Sequence, residues 1–154
     1  MGTDEFEGEP GPPLHTLNGR RFAHTRRALR GRRLLAVDDD ESTQELVVTM
    51  LMVYGVSVRT AGRSLQALEI LTEWRPDVLV ADIAMPGEDG YALMRRVRAL
   101  PSPLGTIPAV AITGCVDTDS VQRSFNAGFD AHLGKPLEPH VLADALARVL
   151  RLRH

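Results

Sequence analysis

The stretch "LLAVDDDES", residues 34–42, places four apolar residues directly before four acidic ones. A short run of apolar residues of this kind predicts a buried β-strand. Carboxylates that are held close together at the end of such a strand raise each other's pKa unless a positive charge lies between them. The stretch therefore predicts a buried strand whose end carries a site for a cation.

The pattern of a strand followed by a helix recurs along the chain. Five short apolar segments are each followed by a segment in which apolar residues have helical spacing. The predicted strands are RLLAV (33–37), VSVRT (56–60), DVLVAD (77–82), PAVAIT (108–113) and DAHLG (130–134). Nearly continuous apolar strands that alternate with helices are typical of a parallel sheet covered on both faces. The pattern predicts an α/β fold with a doubly wound, five-stranded parallel sheet, (βα)5.

Composition and charge narrow the class of protein. The 154 residues are 44% hydrophobic and 25% charged, with a net charge of −2, which is typical of one globular domain. No apolar run is long enough to span a bilayer, and the N-terminus has no signal-peptide pattern. We therefore expect a cytoplasmic protein without a membrane partner, and the single cysteine, Cys115, excludes an internal disulfide.

The N-terminal segment differs from the rest of the chain. Residues 1–33 hold seven arginines and four acidic residues, a sum of +3, whereas residues 34–154 hold 11 basic and 16 acidic residues, a sum of −5. We expect residues 1–32 to form a disordered tail, with a short helix possible in its arginine stretch, and residues 33–154 to form the folded domain. A solvated linker is the favoured interpretation of the arginines, over contact with nucleic acid or an acidic protein.

Polar residues follow the predicted strands at the edge where doubly wound sheets bind ligands. Asp38 and Asp39 follow the first strand and Asp82 ends the third. Because Mg²⁺ prefers oxygen ligands, these three carboxylates form a candidate Mg²⁺ site. The next two acids, Asp40 and Glu41, are expected to cap or begin the following helix, where the helix dipole favours negative charge.

A hydroxyl and an ammonium are predicted at the same edge. Thr113 ends the fourth strand, and Lys135, the sole lysine beside 17 arginines, follows the fifth. In phosphoryl transfer, the charge on the phosphoryl oxygens must be neutralised while a nucleophile attacks. A carboxylate such as Asp82 can be that nucleophile and form an acyl phosphate. Mg²⁺, Lys135 and Thr113 would then each hold one phosphoryl oxygen.

Four motifs together resemble the receiver domain of response regulators in two-component signalling. They are LLAVDDDES, DVLVADIAMPGEDGYAL, AVAITG and FDAHLGKPLEP, and the resemblance covers residues 33 to about 152. The last motif looks most like receivers of hybrid sensor kinases. The resemblance implies a flavodoxin-like (βα)5 fold and a domain that accepts a phosphoryl group without a separate turnover activity.

The resemblance also implies a role for each site residue. Asp82 would be the phosphoacceptor. Asp39 would bind Mg²⁺ directly and Asp38 directly or through water, with Asp82 and the backbone carbonyl of Ala84 as further ligands and Mn²⁺ as a possible substitute for Mg²⁺.

The remaining roles concern the phosphoryl group and the response to it. Thr113 would bind the phosphoryl group and act as the switch, and Lys135 would pair with a phosphoryl oxygen. His132 occupies the position at which the family commonly has a switch Tyr or Phe. The family usually has a cis peptide at the bond that is Lys135–Pro136 here.

The implied partners follow from these roles. The phosphodonor would be a sensor histidine kinase or a histidine phosphotransfer protein, and a downstream protein would bind the face formed by the fourth helix, fifth strand and fifth helix of the (βα)5 unit. No nucleic-acid partner is expected.

Two alternatives stay open. One is a receiver-like interaction module that works without phosphorylation. The other is a phosphatase of the haloacid-dehalogenase type, because Asp38, Asp40 and Ser42 form a D-x-D-x-S pattern that resembles the nucleophile motif of that family.

Overall fold

The structure is a computed structural model, and it describes residues 14–152. Its helices and strands, in chain order, are α1 (Leu14–Leu29), β1 (Arg33–Val37), α2 (Glu41–Met52), β2 (Ser57–Ala61), α3 (Ser64–Trp74), β3 (Val78–Asp82), α4 (Gly90–Arg98), a 3₁₀ turn (Leu104–Thr106), β4 (Ala109–Thr113), α5 (Thr118–Ala127), β5 (Ala131–Gly134) and α6 (Pro139–Leu152).

The five strands form one parallel sheet in the order β2-β1-β3-β4-β5. This is the strand order of the flavodoxin-like doubly wound fold, and it confirms the predicted fold class. The strand order changes direction between β1 and β3, which are direct neighbours, with Val37 opposite Ala81. Residues that follow these two strands therefore lie next to each other at the carboxyl edge of the sheet.

The helices bury both faces of the sheet. One core lies between the sheet and α1, α2 and α6, and the other lies between the sheet and α3, α4 and α5. Adjacent strand residues alternate between them: Leu34 packs into the first core and Leu35 into the second, and both are fully buried. This two-sided burial explains why the three central strands β1, β3 and β4 are continuous apolar runs in the sequence.

The helix ends have defined cap residues. Asp40 is the N-cap of α2, and its carboxylate accepts the N–H of Ser42 at 3.0 Å. This agrees with the expected capping role of Asp40 and Glu41. At α3 the N-cap is Arg63, and Gly128 ends α5 in the left-handed region.

The structure differs from the expected disordered tail, because residues 14–29 form α1 and the part of this helix from Arg21 to Leu29 packs on the domain. Leu29 is 1% exposed and belongs to the core with α2 and α6. The hydroxyl of buried Thr25 donates to Asp144 at 3.0 Å, and the rings of Phe22 and Tyr54 lie 5.0 Å apart. Residues 1–13 of the expected tail lie outside the described residues. None of the described helices combines the length and the apolar character needed to cross a membrane.

Candidate functional site

Three carboxylates from two neighbouring strand ends meet at the carboxyl edge of the sheet. Asp38 follows β1, Asp39 comes next, and Asp82 is the last residue of β3. One carboxylate oxygen of each lies within 4.8 Å of the other two. Asp38 and Asp82 are each 5% exposed, whereas Asp39 is open to solvent. The arrangement offers a set of oxygen ligands that could hold a metal ion.

Burial and mutual repulsion affect the protonation of this cluster. Burial raises the pKa of Asp38, and the nearby charge of Asp82 raises it further, although the backbone N–H of Asp40 and the ammonium of Lys135 act in the opposite direction. The ionised form of Asp38 is therefore less stable in the fold than in water. A bound cation would remove this penalty.

Lys135 supplies a positive charge at the cluster. Its Nζ lies 3.3 Å from Oδ2 of Asp82 and 3.5 Å from Oδ2 of Asp38. Burial acts to lower the pKa of Lys135, but the charges of Asp82 and Asp38 and the hydrogen bonds to them outweigh burial, so its pKa is raised. Three carboxylates and one ammonium leave a formal charge of −2 at the site, which a divalent cation would balance.

Backbone amides hold the two buried carboxylates in place. The N–H of Asp40 donates to Oδ1 of Asp38 at 2.9 Å, and the N–H of Ala84 donates to Oδ1 of Asp82 at 3.2 Å. Each carboxylate thus has one oxygen fixed by the amide two residues later and the other beside Lys135. This symmetry orients both carboxylates toward the same ammonium.

Gln44 is a supporting residue that the sequence motifs did not single out. Its side-chain amide donates to the backbone carbonyl of Asp38 at 2.6 Å and so ties the strand end to α2. Its position four residues after the Asp40 N-cap, one turn into α2, is the signal that could have indicated it.

Gly90 allows α4 to begin directly against the phosphoacceptor candidate. Its N–H donates to the carbonyl of Ile83 at 2.9 Å. A Cβ atom at this position would lie 2.9 Å from Cα of Ile83 and closer still to the carbonyl oxygen of Asp82. Gly90, next to the Asp89 N-cap of α4, therefore has a structural role at this close approach.

Thr113 and His132 lie on β4 and β5. Thr113 is 4% exposed, its hydroxyl accepts the N–H of Cys115 at 3.1 Å, and its carbonyl accepts the N–H of Lys135 at 2.8 Å. Thr113 pairs with Gly134, and Ala111 pairs with His132. The His132 side chain is therefore on the same face of the sheet as that of Thr113, two residues farther from the carboxyl edge.

The half-buried His132 has an unusual environment. Its Nε2 is buried, and among the described residues it has no hydrogen-bond partner. Burial lowers the pKa of His132, while the charge of Asp117 acts to raise it. The neutral imidazole is therefore favoured in this position.

The structure gathers most of the predicted site residues at one edge. Asp38, Asp39, Asp82 and Lys135 form the cluster, whereas Asp40 is occupied as the cap of α2 and is not part of the three-carboxylate group. The peptide bond Lys135–Pro136 is cis, as the resemblance implies.

Comparison with known proteins identifies the family. The family model of the response regulator receiver domain matches residues 34–147. The chain belongs to this family. The resemblance drawn from the four motifs is thereby confirmed, and the receiver has the fold and the regulatory class that the resemblance implied.

Related proteins agree with this assignment. The 14.6 kDa protein of the sodA1 3′ region of Leptolyngbya boryana is 40% identical over 106 residues, which are 69% of this chain and 80% of that protein. The transcriptional regulatory protein GltR of Pseudomonas aeruginosa is 32% identical over 121 residues, which are 79% of this chain. The receiver spans 50% of the length of GltR.

A solved structure shows the same fold. The receiver domain of a signal transduction histidine kinase from Syntrophus aciditrophicus superimposes with a TM-score of 0.71 at 32% identity, covering 79% of this chain and 91% of that one. The relatives of this receiver are thus regulatory proteins and receiver domains.

Proposed function

We propose that this receiver accepts a phosphoryl group on Asp82 from the phosphohistidine of a sensor histidine kinase or a histidine phosphotransfer protein, in a Mg²⁺-dependent reaction. The observation that carries the proposal is the cluster of Asp38, Asp39 and Asp82 within 4.8 Å, with the ammonium of Lys135 against two of them.

The residues present fit a divalent cation. The site has a formal charge of −2, and burial raises the pKa of Asp38, so a divalent cation would balance the charge of the site. Asp38, Asp39 and Asp82, with the carbonyl of Ala84, would hold Mg²⁺, and Mn²⁺ could replace it because both take carboxylate and carbonyl oxygens. Bound Mg²⁺ would neutralise charge on the carboxylates and on the phosphoryl oxygens.

Asp82 would act as the nucleophile. A carboxylate oxygen forms a bond to phosphorus, the phosphorus–nitrogen bond of the donor breaks, and the donor imidazole keeps the electron pair. The backbone N–H of Ala84 holds Oδ1 of Asp82, which limits rotation of the carboxylate. Lys135, now beside Oδ2 of Asp82, would pair with a phosphoryl oxygen as its charge develops.

Thr113 and His132 would carry the response. The Thr113 hydroxyl now accepts the N–H of Cys115 and would turn to donate to a phosphoryl oxygen, moving the loop after β4. The half-buried ring of His132, whose Nε2 has no hydrogen-bond partner among the described residues, would change position with that loop. The result is a shift between two packings of the same fold.

The surface that changes would be the face formed by α5, β5 and α6. Phe125 on α5 and Val141 on α6 are 45% and 40% exposed on these two helices, and a downstream protein would bind there. The proposed donors place the reaction in the cytoplasm, and a reducing compartment agrees with the single free cysteine.

Phosphotransfer profiling tests the proposal. The purified chain is incubated with phosphorylated kinases and with acetyl phosphate, with and without Mg²⁺, and intact mass is measured. One phosphoryl group per chain is expected for the wild type and for Asp119→Asn, a control at an exposed carboxylate of α5. No label is expected for Asp82→Asn, and full labelling of that variant would refute the assignment.

The two alternatives gain no support from the site. In a haloacid-dehalogenase-type phosphatase, Asp40 would belong to the catalytic group, but here its carboxylate caps α2 by accepting from Ser42 and Thr43. A module that works without phosphorylation would not need the Asp82–Lys135 pair. Multiple turnover of a phosphomonoester would favour the first alternative, and a wild-type chain that no donor labels would favour the second.

A further inference from the structure

The segment that contains α1 and the four residues after it carries basic side chains and no acidic ones. Residues 14–33 contain seven arginines and no Asp or Glu. The inward side of the helix is satisfied by the domain: Leu29 and Thr25 are buried, and Arg21 forms an ion pair with Asp144 at 2.7 Å. Arg26 donates to the carbonyl of Val53 at 3.0 Å. These contacts fix the orientation of α1 on the domain.

The outward side of this segment presents three exposed arginines. Arg20, Arg27 and Arg30 are exposed, and none forms a side-chain hydrogen bond or ion pair with a described residue. Arg20 and Arg27 are seven residues apart and so lie on the same face of the helix. Arg30 continues the last turn, because its N–H donates to the carbonyl of Arg26 at 2.8 Å. We call these three residues the outer arginine row.

We propose that the outer arginine row binds the phosphate backbone of nucleic acid without reading its sequence. The row extends for about 15 Å, ten residues at 1.5 Å each. Over that distance one strand of a DNA duplex presents about four phosphates. The guanidinium group is the cation best suited to this contact, because its planar fork matches phosphate oxygens.

Other polyanions fit the row less well. Binding of a helix to an anionic membrane requires an apolar face that enters the lipid, and the apolar side of α1 is already buried on α2 and α6. A folded protein would have to hold a row of mutually repelling carboxylates, whereas a nucleic acid keeps its charges at fixed spacing by covalent bonds. The inference concerns a surface outside the phosphorylation site and does not depend on the proposed phosphotransfer.

Salt-dependent binding of the full chain to DNA tests this inference. The probe is a fluorescently labelled duplex of random sequence, and anisotropy is measured over a series of salt concentrations. The variant R20Q/R27Q/R30Q removes the outer arginine row. The control R63Q/R95Q/R148Q removes three exposed arginines elsewhere on the domain, so both variants lose the same charge, and circular dichroism checks that each keeps its helices.

We expect the wild type and the control to bind the duplex at low salt with similar affinity. The outer-row variant should bind at least about tenfold more weakly, and the slope of log affinity against log salt should fall by about 2 to 3, close to 0.9 per lost phosphate contact. Absence of wild-type binding at low salt would overturn the proposal, as would equal losses in the two variants. Binding of anionic vesicles but not of the duplex would also overturn it and would assign the row to membranes.

Discussion

Replacement of Gly90 by alanine tests the close approach of α4 to the phosphoacceptor strand. The new Cβ would lie 2.9 Å from Cα of Ile83 and 3.1 Å from the carbonyl carbon of Asp82, and these backbone atoms cannot move as a side chain can. We expect a loss of about 2 to 3 kcal/mol in the free energy of unfolding, as is typical of an overpacked site. For a domain of this size, that loss lowers the melting temperature by roughly 5 to 10 °C.

The Gly90 test is decisive because helix propensity predicts the opposite sign. Alanine in place of glycine in a helix ordinarily stabilises by about 0.5 to 1 kcal/mol. Thermal and urea unfolding should be measured beside Gly114→Ala, a position at which a Cβ would meet nothing within 4 Å. The control should change stability by less than about 0.5 kcal/mol. An unchanged or raised melting temperature for Gly90→Ala would refute the proposed packing of α4 against Asp82.

Three further predictions concern single side chains. Lys135→Ala should slow labelling from acetyl phosphate while Mg²⁺ binding is kept, because the carboxylates stay; an unchanged rate by intact mass would contradict the assigned role. Leu29→Ala should cost about 2 to 4 kcal/mol in urea unfolding, and a negligible loss would mean that α1 is not docked. Because burial lowers the pKa of His132, the free energy of unfolding should fall as the pH drops below the unfolded-state pKa of histidine, about 6.5. His132→Tyr should remove that fall, and the exposed-site control His140→Gln should retain it. A His132→Tyr variant with the wild-type pH profile would disprove this cause.

Much of the fold could be predicted because the strands are apolar on both faces. The three central strands β1, β3 and β4 appear in the sequence as apolar runs such as LLAV or VLVAD, and parallel pairing then places their carboxyl ends at one edge. Asp38, Asp82 and Lys135 could be assigned to a common site for this reason. Their distances could not, since these depend on the register of β1 with β3 and on the backbone amides that hold each carboxylate.

The helix α1 was not predicted as a packed element because its arginines outnumber the few residues of its buried side. Seven arginines dominate the segment, while the buried side rests mainly on Leu29 and Thr25. The residues that α1 contacts are distant in sequence: Phe22 packs on Tyr54, and Thr25 donates to Asp144. Composition averages over all faces of a helix, whereas the packing of a helix on a domain depends on one face only.

The most direct test of the central claim is a calorimetric titration of the full chain with Mg²⁺. We propose that a cation binds to Asp38, Asp39 and Asp82. The excess negative charge of this site would make Asp82 a phosphoacceptor. A saturable one-site isotherm is predicted for the wild type, with loss of binding in Asp39→Asn, which removes an exposed carboxylate and should leave the fold intact. A folded wild-type protein that takes up no Mg²⁺ at millimolar concentration would contradict the account.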